Sequence, residues 1–371
     1  MRTALLSDLH LGCSPGVDLA RDPEIRARLL AELETADQVV LLGDAFELRD
    51  RPMGEVVELA GPFLEELGGA LGDRRLVIVP GNHDHRLAEP LLDRRSLGRP
   101  RRLGLEQLFR PGPGAGAAIA RRLGDARVEI AYPGLWLRED VYATHGHYLD
   151  CHLTVPRLEC LAVAASERLL GPLPETATPE DYERILAPVY GFTYGFAQAG
   201  GPERLGAGSA PSLRFWHRVN GGGNRRSRWL AGALFPLAVR AAGRGLHRSF
   251  EPDVSAAAIA RGGLVAMREV ARRLQIGTEH IIYGHTHHPG PRAGDPAWRI
   301  VDGLALHNCG CWTYTRGLST RSVSESLFWP GSVVWVDDDG PPERREVLAE
   351  LGEPELREAA RRTRRAALAA G

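Results

Sequence analysis

The chain has 371 residues, of which 43% are apolar and 25% charged, the usual mix of a soluble globular protein with room for one large domain or a domain with an insert. Its formal net charge of −1 excludes a global electrostatic attraction to nucleic acid or to a membrane, so any such contact must depend on local charge. No apolar stretch approaches the roughly 20 residues that a membrane-spanning helix needs.

The first third of the chain alternates between short apolar strands and amphipathic helices. Apolar runs predict strands at Thr3–Ser7, Val39–Leu42 and Leu76–Val79. Helical spacing of apolar residues predicts helices at Pro23–Ala36 and Gly54–Leu71. This alternation is typical of α/β proteins.

The middle of the chain is predicted to be mostly helical after three short strands. The strands are Val128–Ile130, Leu135–Leu137 and Val141–Thr144. Further helices are expected at three places, namely Leu161–Leu170, from Thr178 onward, and Ser255–Leu274.

The last part of the chain is predicted to return to strands before a polar tail. The four strands are His280–Tyr283, Trp298–Val301, Ala305–Asn308 and Val333–Val336. We expect the tail, Pro342–Ala369, to be a solvated surface helix with clustered arginines.

Six short motifs rich in histidine, aspartate and asparagine follow these apolar runs. In chain order they are Asp8-Leu9-His10, Gly43-Asp44, Gly81-Asn82-His83-Asp84, His145-Gly146-His147, Gly284-His285-Thr286-His287 and Asn308-Cys309-Gly310. Each motif alone is common. Because open α/β sheets place ligands beyond the carboxyl ends of their strands, we expect these side chains to converge.

In this order the motifs resemble those of the calcineurin-like metallophosphoesterase family. The resemblance implies an α/β fold, a four-layer α/β/β/α sandwich of two mixed sheets with a large helical insert. It implies a discontinuous core at residues 1–150 and 276–340, with residues 151–275 as a mostly helical insert or cap. Residues 341–371 would form a C-terminal helical tail.

The resemblance also implies two divalent metal ions, with manganese the best candidate and iron or zinc as alternatives. Asp44 would bridge the two ions. The remaining ligands would divide into a first set, Asp8, His10 and His287, and a second set, Asn82, His145 and His285. A bridging hydroxide would attack phosphorus, and His83 would act as general acid while Asp84 orients its imidazole.

Several neighbouring residues extend the motifs. His145 is favoured over His147 as a ligand because the strand Val141–Thr144 leads directly into it. His147 is then a candidate for supporting a ligand or contacting substrate. His85 and His288 are expected at the rim of the site, and Cys13 either at the mouth of the pocket or as a buried thiol.

The insert is expected to determine specificity, because its two ends lie beside motifs that share one ion. Residues 204–250 combine nine arginines with interleaved aromatic residues and contain no acidic residue. Three interpretations stay open for this stretch: an ordinary helical cap, a surface that contacts lipid or membrane, and a nucleic-acid-binding surface.

The predicted function is hydrolysis of a phosphoester or pyrophosphate bond, on an anionic substrate such as a lipid- or nucleotide-linked phosphate. The family includes enzymes that cleave the pyrophosphate of a UDP-linked diacyl-glucosamine, but this chain has His83 where those enzymes typically have arginine. The alternatives are a DNA-repair-type nuclease and a non-catalytic scaffold with a phosphoesterase-like fold.

The cysteines and the start of the chain predict a cytoplasmic protein, either free in solution or peripheral to the membrane. Five cysteines are an odd number, and their spacing fits neither a disulfide framework nor a zinc finger, so we expect reduced thiols. The first strand begins near Arg2, which leaves no room for a signal peptide.

Overall fold

The computed structural model describes residues 1–14, 16–97, 102–201, 239–241, 243–319 and 322–369. The strands in these ranges are β1 Thr3–Leu6, β2 Gln38–Leu42, β3 Arg75–Val79, β4 Glu106–Phe109, β5 Arg127–Arg138, β6 Val141–Thr144, β7 His280–Tyr283, β8 Ala305–Asn308, β9 Ser332–Val336 and β10 Glu343–Glu346. The helices are α1 Pro23–Leu33, α2 Met53–Leu71, α3 Glu89–Leu97, α4 Ala115–Arg122, α5 Leu158–Leu170, α6 Pro179–Gln198, α7 Ala256–Arg273 and α8 Glu353–Ala369.

These strands form one mixed sheet in the order β10-β9-β1-β2-β3-β5-β6-β7-β8, with β4 paired to β5. Strands β1, β2, β3 and the first half of β5 are parallel, and so are β6, β7 and β8. Strand β5 runs antiparallel to β6, and β9 antiparallel to β1. The predicted α/β class with mixed strands is confirmed, whereas the division into four layers stays a prediction.

Strand β5 corrects the prediction of two short strands on either side of Pro133. Its first half, up to Ile130, pairs with β3, and its second half, from Gly134, pairs with β6. Proline lacks the N–H that a ladder needs, which makes it look like a strand break in the sequence. Here the strand passes through Pro133, whose carbonyl accepts a hydrogen bond from Thr144 Oγ1 at 2.9 Å.

The sheet buries apolar side chains on both faces. Leu6 and Leu41 face α1, α2 and α8 in one cluster. Leu5 and Val40, one residue earlier on each strand, face the opposite way and share a second cluster with Ile282 of β7. Alternation along each strand therefore fixes the register that carries the loops beyond β1, β2 and β7 to one place.

The predicted helices of the insert are confirmed where the structure describes them. Helices α5, α6 and α7 pack with β6 and β7 in a third apolar cluster. Helix α6 begins with a capping box in which Thr178 and Asp181 each accept a hydrogen bond from the other's backbone N–H. The insert boundaries stay predictions, and of the arginine-rich stretch only residues 239–241 and 243–250 lie within the described ranges.

The end of the chain differs from its prediction in two places. Trp298–Val301 is not a strand, because Asp295 caps a short 3-10 turn at Pro296–Trp298 instead. The tail is not a solvated helix, because it begins with the edge strand β10 and its helix α8 buries Leu356 and Ala359 against the core.

No helix in the described ranges combines the length and the apolar composition needed to span a bilayer. All five cysteines are free and buried, as expected for reduced thiols.

Candidate metal centre

The predicted site residues lie in the loops that follow β1, β2, β3, β6 and β7, and the structure brings them together. Three groups of these predicted residues have ligand atoms that all lie within 4.8 Å of one another. The groups are Asp8 with His10 and His287, Asp44 with His145 and His285, and His10 with Asp44 and His83.

The backbone of the site is held in a conformation that L-residues rarely adopt. Asp8, His10, Asp44, His285 and His287 have φ values between 45° and 62°. Their loops are tied to one another, since Asp8 N–H donates to the Gly43 carbonyl at 3.0 Å and His10 N–H donates to the Asp44 carbonyl at 2.8 Å. Such strain persists only where the surroundings hold it, and it is typical of functional sites.

Glycine is required next to these residues for reasons of space. A Cβ on Gly43 would clash with the imidazole of His145. A Cβ on Gly81 would meet the Asp44 carboxylate, and one on Gly284 would meet the Ser7 hydroxyl. The glycines of the motifs therefore let the loops approach closely enough for the polar side chains to converge.

The first group surrounds a carboxylate oxygen that has too few partners. His287 Nε2 lies 3.0 Å from Asp8 Oδ1 and 3.2 Å from His10 Nε2. Asp8 Oδ1 is buried and has no hydrogen bond of favourable geometry within the described residues. A buried carboxylate oxygen of this kind is costly unless it is paired with a positive charge or coordinates a metal.

The second group faces the first across Asp44. His145 Nε2 lies 3.3 Å from Asp44 Oδ2, and Asn82 Oδ1 lies 3.2 Å from the same imidazole nitrogen. Asn82 Oδ1 is also 3.0 Å from His285 Nδ1. Asp44 Oδ2 is in addition 3.9 Å from His10 Nε2, so this one oxygen lies between both groups, where a bridging ligand would have to be.

Hydrogen bonds on the outer side of the histidines leave their inner nitrogens available as ligands. His10 Nδ1 is 2.9 Å from Glu47, His145 Nδ1 is 3.1 Å from the Leu42 carbonyl, and His285 Nε2 is 2.9 Å from Asp150. A neutral imidazole that donates its outer proton has a lone pair on the other nitrogen. This is the arrangement that orients histidine ligands in metal sites.

The electrostatics of the centre also require positive charge. Burial lowers the pKa of His145 and of His287, but neighbouring groups, chiefly Asp44 for the first and Asp8 with Cys311 for the second, together outweigh it, and both pKa values rise to about 9. Burial would raise the pKa of Asp44, yet the surrounding histidines hold it well below its usual range. The donor set thus fits cations, which would replace the imidazole protons beside the carboxylates.

The side-chain amide of Asn82 fits two orientations, which exchange its oxygen and its nitrogen. With its nitrogen inward, the amide would donate to Asp44 Oδ2 at 3.1 Å, and its oxygen would accept from Arg49 Nη1 at 2.8 Å. With its oxygen inward, it presents a metal ligand instead. Only the second orientation is useful for binding a cation, because an amide nitrogen is a donor.

Glu47, and not Asp84, contacts the imidazole of His83. Glu47 lies 2.7 Å from His83 Nδ1 and also contacts His10. The side chain of Asp84 instead accepts hydrogen bonds from the backbone N–H groups of Gly81 at 2.6 Å and Ala45 at 2.9 Å. The expected contact between Asp84 and His83 is therefore wrong, because Asp84 is turned toward these amides and braces the loops.

The other histidines of the motifs are buried side chains and not rim residues. His85 Nε2 is 2.9 Å from Glu183 of α6, and His288 packs against Trp298. His147 lies 3.3 Å from the hydroxyl of Tyr132. The rim prediction for His85 and His288 is wrong, since both are at most 5% exposed.

Three acidic residues of this region were missed in the sequence. Glu47 lies three residues after Asp44, and Asp150 three residues after His147, so proximity to a motif was an available signal for both. Glu183 offered none, because it lies on an insert helix and reaches the core only through the fold. Its carboxylate accepts from the hydroxyls of Tyr132 and Tyr148 as well as contacting His85.

A cavity of about 280 Å³ opens above the convergent residues. His10, Asp44, His83, His285 and His287 lie in its lining. An apolar part of the wall is formed by Val17, Ile259, Leu318 and Phe328. Cys13 and Arg157 also line it, so Cys13 is both buried and part of the pocket wall.

A mixed α/β sheet whose loops gather carboxylates and imidazoles in this way is typical of metal-dependent hydrolases. The model of the calcineurin-like phosphoesterase family matches residues 1–289. The chain therefore belongs to the calcineurin-like phosphoesterase family, which implies metal-dependent hydrolysis of phosphoesters. A comparison with curated proteins finds no match.

Proposed function

We propose that the chain hydrolyses phosphoester or pyrophosphate bonds with two divalent ions, bridged by Asp44. The observation that carries the proposal is the position of Asp44 Oδ2, 3.3 Å from His145 Nε2 and 3.9 Å from His10 Nε2. One ion would be held by Asp8, His10 and His287, and the other by Asn82, His145 and His285. Imidazole, carboxylate and amide donors suit manganese first, with iron or zinc as alternatives.

When bound, the ions supply a Lewis acid that activates water and offsets the charge of the phosphoryl oxygens. His83 would then donate a proton to the leaving oxygen. Glu47 holds its Nδ1 at 2.7 Å, which leaves Nε2 free to carry that proton, and the side chain is 25% exposed and lines the cavity. Asp84 would contribute by holding the loops of Gly81 and Ala45 in place.

The cavity supports a phosphate ester with an apolar or nucleoside part as the substrate. Its volume of about 280 Å³ is near the lower limit for small-molecule sites, and part of its wall is apolar. Among the described lining residues Arg157 is the one arginine, which is less than a phosphate-tracking nucleic-acid groove needs. A lipid- or nucleotide-linked phosphate in the cytoplasm is therefore favoured over DNA, while lipid contact through residues 204–250 stays a proposal.

The test is release of p-nitrophenol from p-nitrophenyl phosphate and from bis(p-nitrophenyl) phosphate, with and without manganese. We expect turnover that depends on added metal and is lost on chelation. Asp44→Asn should remove this turnover, whereas Asp73→Asn, a matched change at an exposed aspartate, should leave it unchanged.

Three outcomes would contradict the proposal. Turnover that does not depend on added metal would show that the two metal ions are not needed for catalysis. Digestion of single- or double-stranded DNA at a higher rate than either small ester would favour the nuclease alternative. A folded, metal-loaded protein that hydrolyses none of these substrates would favour the scaffold.

A further inference from the structure

Arg157 lines the catalytic cavity and has no direct hydrogen-bonded partner for its guanidinium in the described chain, although the charges of nearby carboxylates act on it. It is the residue just before helix α5, and it lines the cavity together with Glu159 and His285. Its side chain is partly buried. Within the part of the chain that the structure describes, its guanidinium makes no hydrogen bond or ion pair.

Other arginines close to this cavity are already engaged. Arg49 Nη2 is 3.9 Å from Glu159, and Arg248 Nη2 donates to the Asp150 carbonyl at 3.0 Å. Arg157 is only partly buried, and a guanidinium that lines a cavity without a hydrogen-bonded partner has its parallel N–H donors available to an anion. Arg157 is thus a side chain that an anion in the cavity would stabilise.

The chain itself offers few carboxylates for this role. The acidic residues that act on Arg157 are Glu159, Asp150 and Asp8, and each has another partner: Arg49, His285 and His287, respectively. These carboxylates are therefore committed elsewhere, which leaves the guanidinium of Arg157 available to an anion that enters the cavity.

We propose that Arg157 binds the phosphoryl group of the substrate and thereby favours phosphomonoesters over phosphodiesters. The inference rests on the proposed function and deepens it. A guanidinium presents parallel N–H donors that match two oxygens of a phosphoryl group. A monoester dianion has one more unesterified oxygen and more negative charge than a diester, so it gains more from this contact.

The metal-ligand candidates and Arg157 reach the cavity from different segments of the chain. The histidines and the carboxylates of the metal centre come from the loops of the core, whereas Arg157 and Glu159 come from the predicted insert. A contact from the insert side therefore discriminates between esters without being part of the metal centre. The side chain is a specificity residue in this account, and not a metal ligand or a proton donor.

The test is calorimetric binding of inorganic phosphate to the manganese-loaded protein, followed by kinetics on p-nitrophenyl phosphate and bis(p-nitrophenyl) phosphate. Arg157→Gln should weaken phosphate binding about tenfold or more, the effect of losing a charged hydrogen-bond partner. Arg157→Lys should recover part of the lost affinity, since lysine keeps the positive charge but lacks the two parallel N–H donors of the guanidinium. Arg168→Gln, at an exposed arginine on the same helix, should bind as the wild type does.

The kinetics distinguish a change in substrate specificity from a general loss of activity. We expect Arg157→Gln to lower kcat/KM for the monoester about tenfold more than for the diester. Equal losses for both esters, or unchanged phosphate binding, would overturn the inference.

Failure of the proposed function is distinguishable from failure of this inference. A protein that binds manganese and phosphate but turns over neither ester would contradict the hydrolase, while phosphate binding that still depends on Arg157 would support the anion site. Manganese titrations of each variant provide the control, and we expect Arg157→Gln to bind the metal like the wild type.

Discussion

The core loops and the insert contribute to the same cavity in different ways. In the core, imidazoles have a second partner, such as Glu47 for His10 and Asp150 for His285, and the backbone of these two histidines is strained. The predicted insert contributes single side chains, Arg157 at the cavity and Glu183 beneath it, where Glu183 contacts His85, Tyr132 and Tyr148. We therefore expect catalysis to depend on the core loops, and substrate specificity to depend on the side chains that the predicted insert adds to the cavity.

The largest effect is expected at the residue that joins the two ligand groups. Asp44→Asn should lower kcat by more than about a thousandfold, beyond the 10–100-fold typical of side chains that only support a ligand. The amide cannot supply the negative charge between two cations. Metal analysis should find fewer ions per chain than in the wild type. Full turnover with two bound ions would show that Asp44 is not the bridge.

The next effect concerns the proton donor of the core. His83→Gln should lower kcat by about 10²–10⁴-fold for an ester with a poor alkoxide leaving group, and much less for p-nitrophenolate, which needs little protonation. Metal content should stay the same. A loss that is equal for both leaving groups and accompanied by loss of metal would instead make His83 a ligand.

A smaller loss is expected from the carboxylate beneath both histidines. Glu47→Gln removes a charge that contacts His10 at 2.9 Å and His83 at 2.7 Å, and it should lower kcat by about 10–100-fold. Glu55→Gln, at an exposed glutamate on α2, is the matched control. If the loss of kcat in Asp84→Asn depended more strongly on the leaving group than the loss in Glu47→Gln, Asp84 and not Glu47 would be the acid that supports His83.

The smallest catalytic effect is expected in the insert, where stability should change more than rate. Glu183→Gln weakens buried contacts to His85, Tyr132 and Tyr148, and we expect it to lower the free energy of unfolding in urea by about 1–3 kcal/mol. The change in kcat should stay within about tenfold, below the range for residues that support a ligand directly. A loss of kcat as large as that of His83→Gln would show that Glu183 contributes to catalysis as much as the core residues do.

The sequence predicted the parts of the fold in which local pattern and final environment agree. Strands β1, β2, β3, β6 and β7 are short apolar runs that end at a motif, and the structure has each within a residue or so of its predicted bounds. Ligand residues of the first five motifs converge for the same reason, since each motif follows a strand that fixes its position.

The sequence could not predict choices that are made by contacts between distant segments. Glu47 and Asp84 are both acids in or near a motif, and backbone N–H groups of the Gly81 loop and of residues 44–46 hold Asp84 away from His83. The tail was similar: its arginines suggested a solvated helix, but Arg362 pairs with Asp22 at 2.7 Å and the opposite face is buried.

The most direct test of the central claim is anomalous diffraction from crystals of the manganese-loaded protein. The account predicts two peaks about 3.5–4 Å apart, with the Asp44 carboxylate touching both, one beside His10 and His287 and the other beside His145 and His285. A single peak, or a pair of peaks away from Asp44, would contradict it.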